Sequence, residues 1–193
     1  MSNIKIAIFA SGNGTNAEAI AKYFEKKDGV EITMIISNKK DAFVLERAKK
    51  MNIPAFVFSA KDFQNPEKVF KLLQDNKIDF VILAGFLLLL PDFIVDAYPC
   101  KIVNIHPALL PKYGGKGMYG MAVHDAVIAN KEKESGITIH YVNKNYDEGQ
   151  IIFQAKCLIE DNDTSEILAS KVHELEYKYF PQIIEKTIKG KYH

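Results

Sequence analysis

The sequence predicts an α/β protein: a doubly wound, mainly parallel central sheet with flanking helices and an antiparallel extension near the C-terminus. Three observations predict it. Short apolar runs alternate with segments of helical period from residue 5 to about residue 106. The first run opens directly into a Gly/Asn loop, Ser11-Gly12-Asn13-Gly14-Thr15-Asn16. Beyond residue 120 the texture changes to two strand-like segments joined by a short polar connection.

Residues 5–10 read as a first buried strand. A helix follows to about residue 27, with Ala17, Ile20, Ala21 and Phe24 on one face and Thr15 and Glu18 at capping-box spacing. Residues 30–36 form a second strand, 41–51 a helix and 54–58 a short third strand. Asn65-Pro66-Glu67 reads as an N-cap with proline at the first helical position, opening a helix to about residue 76. Residues 78–84 are the fourth and most apolar strand. Gly85 breaks it, and Pro91 opens a short helix up to Ala97.

Residues 101–105 read as a fifth buried strand, ended by Pro107, which has a fixed φ and no N–H. The segment Lys112 to Gly120 contains four glycines in nine residues and is expected to be a mobile loop. A helix over about 121–130 precedes strands at 136–142 and 150–159, connected by 143–149. Asp163 with Glu166 marks the start of a long helix striped by Leu168, Val172, Leu175 and Tyr179, which Pro181 is expected to kink or interrupt. No repeat, low-complexity tract or linker appears, so the chain reads as one domain.

The 193 residues are 48% hydrophobic and 25% charged, with a net charge of +1. That length suits a domain burying roughly 70% of its unfolded surface. The charge gives no bulk attraction to nucleic acid or to an anionic membrane. Cys100 and Cys157 make no metal spacing and no disulfide framework, and Cys157, in a strand, reads as a buried free thiol. The longest apolar run, 80–90, has 11 residues, against the ~20 that span a bilayer. A cytoplasmic protein without metal, nucleic acid or membrane is expected.

Three stretches carry chemistry. The loop at 11–16 opens a helix, where backbone N–H groups and the helix dipole stabilise an anion without a lysine. Gly12-x-Gly14-x-x-Ala17 also fits a dinucleotide fingerprint, although that reading wants an acid at the end of the second strand. Ser37-Asn38-Lys39-Lys40 stands there instead, so an NADP-binding protein stays open, as does a plain turn that packs a helix on the sheet. In the second stretch, alternation sends Asn104 and His106 to one face at the carboxyl end of a strand, where open α/β sheets bind ligands. A strand-end histidine satisfied by a neighbouring carbonyl would look the same. Third is Asp147-Glu148-Gly149, which by itself is ordinary turn chemistry. It gains weight because a carboxylate raises an imidazole's pKa, giving a cation and a carboxamide aimed at a developing oxyanion.

Ser11-Gly12-Asn13-Gly14-Thr15-Asn16, Leu83-Ala84-Gly85-Phe86, Asn104-Ile105-His106-Pro107-Ala108-Leu109-Leu110-Pro111 and Asp147-Glu148-Gly149 occur in this order. Together they closely resemble the folate-dependent formyltransferase family over about residues 4–190. The first loop narrows the likeness to members that bind a phosphorylated glycinamide or a close relative.

The resemblance implies a Rossmann-like fold in a single domain, 1–193, with a phosphate-binding half (1–100) and a catalytic, folate-binding half (101–193). It also implies formyl transfer from 10-formyltetrahydrofolate, a co-substrate, to the amine of glycinamide ribonucleotide, by a monomer or homodimer that needs no metal. Asn104 and His106 would polarise the formyl carbonyl, Asp147 would keep His106 protonated and move the amine's proton, and His140 would support them from behind. Gly12, Asn13, Gly14, Thr15 and Asn16 would hold the phosphate and Glu176 the ribose hydroxyls; bare sequence makes Glu176 a solvated helix residue. Leu87, Leu88, Leu89, Leu90 and Val142 would line the pterin pocket, though an apolar stripe is more often core.

Some positions depart from the family pattern. Leu88 stands where an arginine is common, and an arginine used near the phosphate aligns close to Asn65-Pro66, leaving Lys61 or Lys68 as substitutes. The Gly114–Gly120 segment is longer than in typical members. Formylation of tRNA would call for an additional RNA-binding domain and formyltetrahydrofolate hydrolysis for a regulatory one; sugar-nucleotide formylation and NADP binding remain as rivals.

Overall fold

A computed structural model describes residues 3–190. The chain forms two compact units, Met1–Val103 and Asn104–His193.

The first unit contains β1 (Ile4–Phe9), α1 (Thr15–Phe24), β2 (Val30–Ser37), α2 (Val44–Lys50), β3 (Ala55–Val57), α3 (Ala60–Phe63), α4 (Val69–Asp75), β4 (Phe80–Leu83) and α5 (Asp92–Ala97). β1 pairs in parallel with β2 and β4, and β2 with β3. Each parallel pair needs a crossover, which the helices supply. Ile6 to Phe9 are wholly buried, as expected for a strand covered on both faces. Phe9, Phe63 and Phe86 meet with ring centroids 5.1–5.7 Å apart and fix α3 and the segment after β4 against the strands.

β5 (Ile102–His106) runs through the junction, and the second unit adds α6 (Met121–Ala129), β6 (Glu134–Tyr141), β7 (Ile151–Leu158) and α7 (Ser165–Ile188). β6 and β7 are antiparallel, with a register shift between Ile139 and His140. Parallel strands with crossover helices followed by an antiparallel pair near the C-terminus are what the alternating pattern predicted. Among the described residues no helix is long and apolar enough to cross a membrane.

Local expectations are corrected at several ends. The residue before α1 is Gly14 in the left-handed region (φ 75°), with no side-chain cap; Glu18 turns instead to Lys22 and Arg47. α2 begins at Val44 rather than residue 41. Asn65 accepts from Glu67 N in a turn, so α4 starts only at Val69, and the capping box lies upstream at Ser59 and Asp62, opening α3. Thr164, not Asp163, caps α7, while Asp163 accepts from Glu160 N and Lys171. α7 continues through Pro181 for 24 residues without a break. Its buried stripe includes Glu176, 6% exposed, whereas Leu175 and Tyr179 are half-buried. Cys157 is half-buried rather than buried.

His124, on α6, is 2% exposed, and its Nδ1 has no hydrogen-bond partner among the described residues. Burial pushes its pKa down to about 4; nearby His173 and His106 add to the fall and Asp125 opposes it. The unfolded chain binds this proton near pH 6.5, the folded chain only near pH 4. The associated stability is therefore complete above pH 6.5 and is lost as pH falls toward 4, by about 3 kcal/mol at most. His124→Gln should flatten that acid limb in urea titrations between pH 6.5 and 4 while leaving it unchanged elsewhere.

Candidate active site

The Gly/Asn loop of the first unit sits between β1 and α1. Ser11 N donates to Gly85 O, and Leu87 N donates to Ser11 Oγ at 2.9 Å, tying the loop to the segment after β4. Ser11 Oγ in turn donates to Asn38 Oδ1, which occupies the place where a dinucleotide site would need its acid. Gly12 and Asn13 are exposed, and Gly14, Thr15 and Asn16 half-buried, so the turn opens outward at the start of α1. A Cβ on Gly14 would lie 2.3 Å from Val44 Cγ2, and its φ of +75° disfavours any side chain. Arg47 clasps the loop from α2: Nε donates to Asn13 O at 2.8 Å, Nη2 to Asn13 Oδ1 at 2.9 Å, and Nη1 pairs with Glu18. Sequence reasoning missed Arg47, since nothing in spacing connects residue 47 to residue 13 until α2 packs beside α1.

Of the apolar segment after β4, Leu90 is buried, Leu87 and Leu88 are half-buried, and Leu89 is 39% exposed. Leu90 is a core residue by burial; the other three retain surface for contact. In the second unit Val142 is half-buried and Glu176 buried.

The second unit gathers Asn104, His106, His140 and Asp147. Asn104 and His106 leave the end of β5 on one face, His140 stands on β6, and Asp147 comes from the β6–β7 connection. His140 Nδ1 lies 2.8 Å from Tyr141 O, which only an N–H can face, so Nε2 of the neutral ring accepts from Asn104 Nδ2 at 3.0 Å. The histidine thereby orients the carboxamide, and at 2% exposure it is buried. By the same logic His106 Nε2 donates to Tyr113 O at 2.7 Å, which leaves Nδ1 facing Asp147 Oδ2 at 3.5 Å. His140 Nε2 is 3.6 Å from the other oxygen, Oδ1.

The electrostatics correct one expectation. Burial is the largest influence on His106 and pushes its pKa down; Asp147 and the Tyr113 carbonyl raise it, His140 lowers it, and the net shift is below the ordinary value. The resting imidazole is therefore held toward its neutral form. Burial also acts most strongly on Asp147, upward, but the neighbouring His140 and His106 and the Gly115 N–H together carry its pKa below the usual range. Asp147 is thus an ionised carboxylate among imidazoles.

The glycine-rich segment, expected to be a mobile loop, is tied down at its root. Tyr113 O accepts from the His106 Nε2–H and Gly115 N donates to Asp147 Oδ2 at 2.9 Å. A Cβ on Gly114 would lie 2.5 Å from Leu110 Cδ2 and 3.2 Å from Asp147 Cβ, so glycine permits the approach. Tyr113 (φ 58°) and Asp147 (φ 56°) both hold left-handed backbone, at a cost of order 1 kcal/mol each. Thr138 pins the intervening turn: its hydroxyl donates to Ala108 O at 2.7 Å and accepts from Leu110 N and Gln154 Nε2.

Chemically, the cluster offers an oriented amide donor, an imidazole whose charge depends on its surroundings, and a half-buried carboxylate able to pass a proton. The sequence matches the Formyl transferase family over residues 4–184. It is 40% identical over 188 residues to the chloroplastic phosphoribosylglycinamide formyltransferase of Arabidopsis thaliana, covering 93% of this chain and 64% of that protein. The chain thus spans a little under two thirds of that relative. The Bacillus subtilis phosphoribosylglycinamide formyltransferase is 35% identical, with 95% and 94% covered. The crystal structure of the Bacillus halodurans phosphoribosylglycinamide formyltransferase superposes with a TM-score of 0.85 at 37% identity, covering 94% of each chain.

Thr138→Val removes three hydrogen bonds at once, two of them buried, and should lower unfolding free energy by about 2–4 kcal/mol. Thr138→Ser, which keeps the hydroxyl, should lose only about 1 kcal/mol; urea denaturation separates the two.

Proposed function

The chain belongs to the formyl transferase family, and from that premise we propose that it transfers the formyl group of 10-formyltetrahydrofolate to the amine of glycinamide ribonucleotide, in purine biosynthesis. The observation that carries this reading is the convergence of Asn104, His106, His140 and Asp147 in one cluster, its two histidines buried and Asn104 and Asp147 half-buried. No serine or cysteine flanks His106 in the chain, which suits direct attack by an amine rather than an acyl-enzyme.

The amine nitrogen attacks the formyl carbon, a C–N bond forms, and the carbonyl electron pair moves onto oxygen. Asn104 donates an amide N–H to that oxygen, its orientation set by His140. His106 is held toward neutrality in the resting site, and the new negative charge adds to that of Asp147 in favouring its cation. Positive charge therefore develops on His106 only as the oxyanion forms, which stabilises the transition state more than the substrate. Asp147 takes the proton released by the attacking nitrogen, directly or through water, and delivers it to folate N10 as the carbon–N10 bond breaks.

In this reading residues 12–16 hold the phosphate, with Arg47 stiffening the cradle, and Glu176 meets the ribose hydroxyls. Leu87, Leu88, Leu89 and Val142 offer the apolar contacts for the pterin, while Leu90 supports them from the core.

Incubation with 10-formyltetrahydrofolate, with and without glycinamide ribonucleotide, tests the reading: donor loss should require the amine. Turnover without amine would instead make the protein a hydrolase. His106→Ala should lower kcat about 100- to 1,000-fold with KM for glycinamide ribonucleotide nearly unchanged. Arg47→Ala should do the reverse, raising that KM about tenfold with kcat largely retained. Steady-state kinetics on both variants check the division of labour.

A further inference from the structure

We propose that Tyr113, clamped through its phenol by Glu132 and Asn130, is a positioning residue for His106, and that this clamp is what the glycine-rich segment contributes to the reaction. The proposal rests on the role given to His106 above.

The imidazole is aimed by the carbonyl that receives its Nε2–H, and that carbonyl belongs to Tyr113, 2.7 Å away. The direction of the carbonyl depends on a backbone that is poorly held by itself. Tyr113 has φ 58°, a region most side chains avoid, and Gly114 follows it. Nor does packing enclose the residue, because a cleft of about 270 Å³ opens beside it, lined also by Leu109, Val127 and Ser135.

Hydrogen bonds at the far end of the side chain supply the missing restraint. The phenol donates to Glu132 Oε1 at 2.9 Å and accepts from Asn130 Nδ2 at 3.0 Å. Lys112 Nζ binds the same carboxylate oxygen at 2.8 Å and so holds Glu132 in place. Both anchors ride on the end of α6, where Asn130 N bonds Ala126 O and Glu132 N bonds Val127 O. One end of Tyr113 is thus fixed to a helix terminus and the other sets the rotation of a buried imidazole.

The groups facing His106 are Asp147 from the β6–β7 connection, His140 on β6 and His124 on α6. Asp147 and the Tyr113 carbonyl favour the imidazolium, and His140 opposes it. Loosening the carbonyl therefore lowers the pH at which His106 titrates, an effect that mere loss of packing would not produce.

The test uses Tyr113→Phe, Glu132→Ala and Glu132→Gln in the full chain. Readouts are kcat, both KM values, and the His106 ring titration followed by NMR, assigned with His106→Ala. Tyr113→Phe and Glu132→Ala should lower kcat roughly 10- to 100-fold, leave both KM values within about twofold, and shift the His106 midpoint to lower pH. Glu132→Gln, which still accepts from the phenol, should retain the parental midpoint and rate. A parental midpoint in Tyr113→Phe overturns the proposal, whatever happens to the rate or to thermal stability. A failure of the His106 reading shows separately, as near-normal kcat in His106→Ala.

Discussion

Everything in the second unit turns on one constraint: an ionised carboxylate has to be kept out of water beside two imidazoles. Burial alone would drive Asp147 toward its neutral form, and the surrounding structure works against that. A backbone N–H from Gly115, a histidine on β6 and another at the end of β5 all face it. Removing the Gly115 N–H leaves the charge short of a hydrogen-bond donor. This explains why residues far apart in sequence, from the glycine-rich segment to the β6–β7 connection, are held with little latitude.

The same burial acts oppositely on His106. An exposed imidazole beside a carboxylate would lean toward the cation; this one is held toward its neutral form. In the proposed reaction such an arrangement spends no stabilisation on the ground state, which would separate an electrostatic catalyst from a tight binder. In the first unit the strategy differs. The cradle at 11–16 uses main-chain geometry, with Arg47 committed to Asn13 and Glu18 rather than free as a point charge.

Much of this was legible in the chain because local rules and the fold agree. Apolar runs of strand length gave β1, β2, β4 and β5, and alternation gave the shared face of Asn104 and His106. The errors fall where two signals compete. Thr15 and Glu18 have capping spacing, yet Gly14 takes the left-handed position and Glu18 is drawn to Arg47, a tertiary partner. Asn65-Pro66 makes a turn rather than a helix start because Ser59 and Asp62 cap a separate helix six residues earlier. Glu176 looked solvated because a helical stripe is judged by its apolar members. The site fared similarly: Asn104, His106 and Asp147 carry motif signals, but Arg47, Thr138 and Tyr113 act through contacts that exist only after folding. The sign of the His106 shift was likewise out of reach, since burial depth is not a property of sequence spacing.

The β6–β7 connection has a consequence for how the chain can vary in length. A Cβ on Gly149 would lie 1.6 Å from Tyr141 O, so this glycine threads directly against the strand it has just left. Tyr141 N also bonds Gln150 O, closing the connection at its base. With both ends stapled, an added or deleted residue between 142 and 149 would rotate the carboxylate away from the imidazoles. Among the described residues the stretch 116–119 has no comparable tether beyond the turn bond from Met118 N to Gly115 O, so descendants and designed variants have freedom to lengthen there and almost none in the connection after β6.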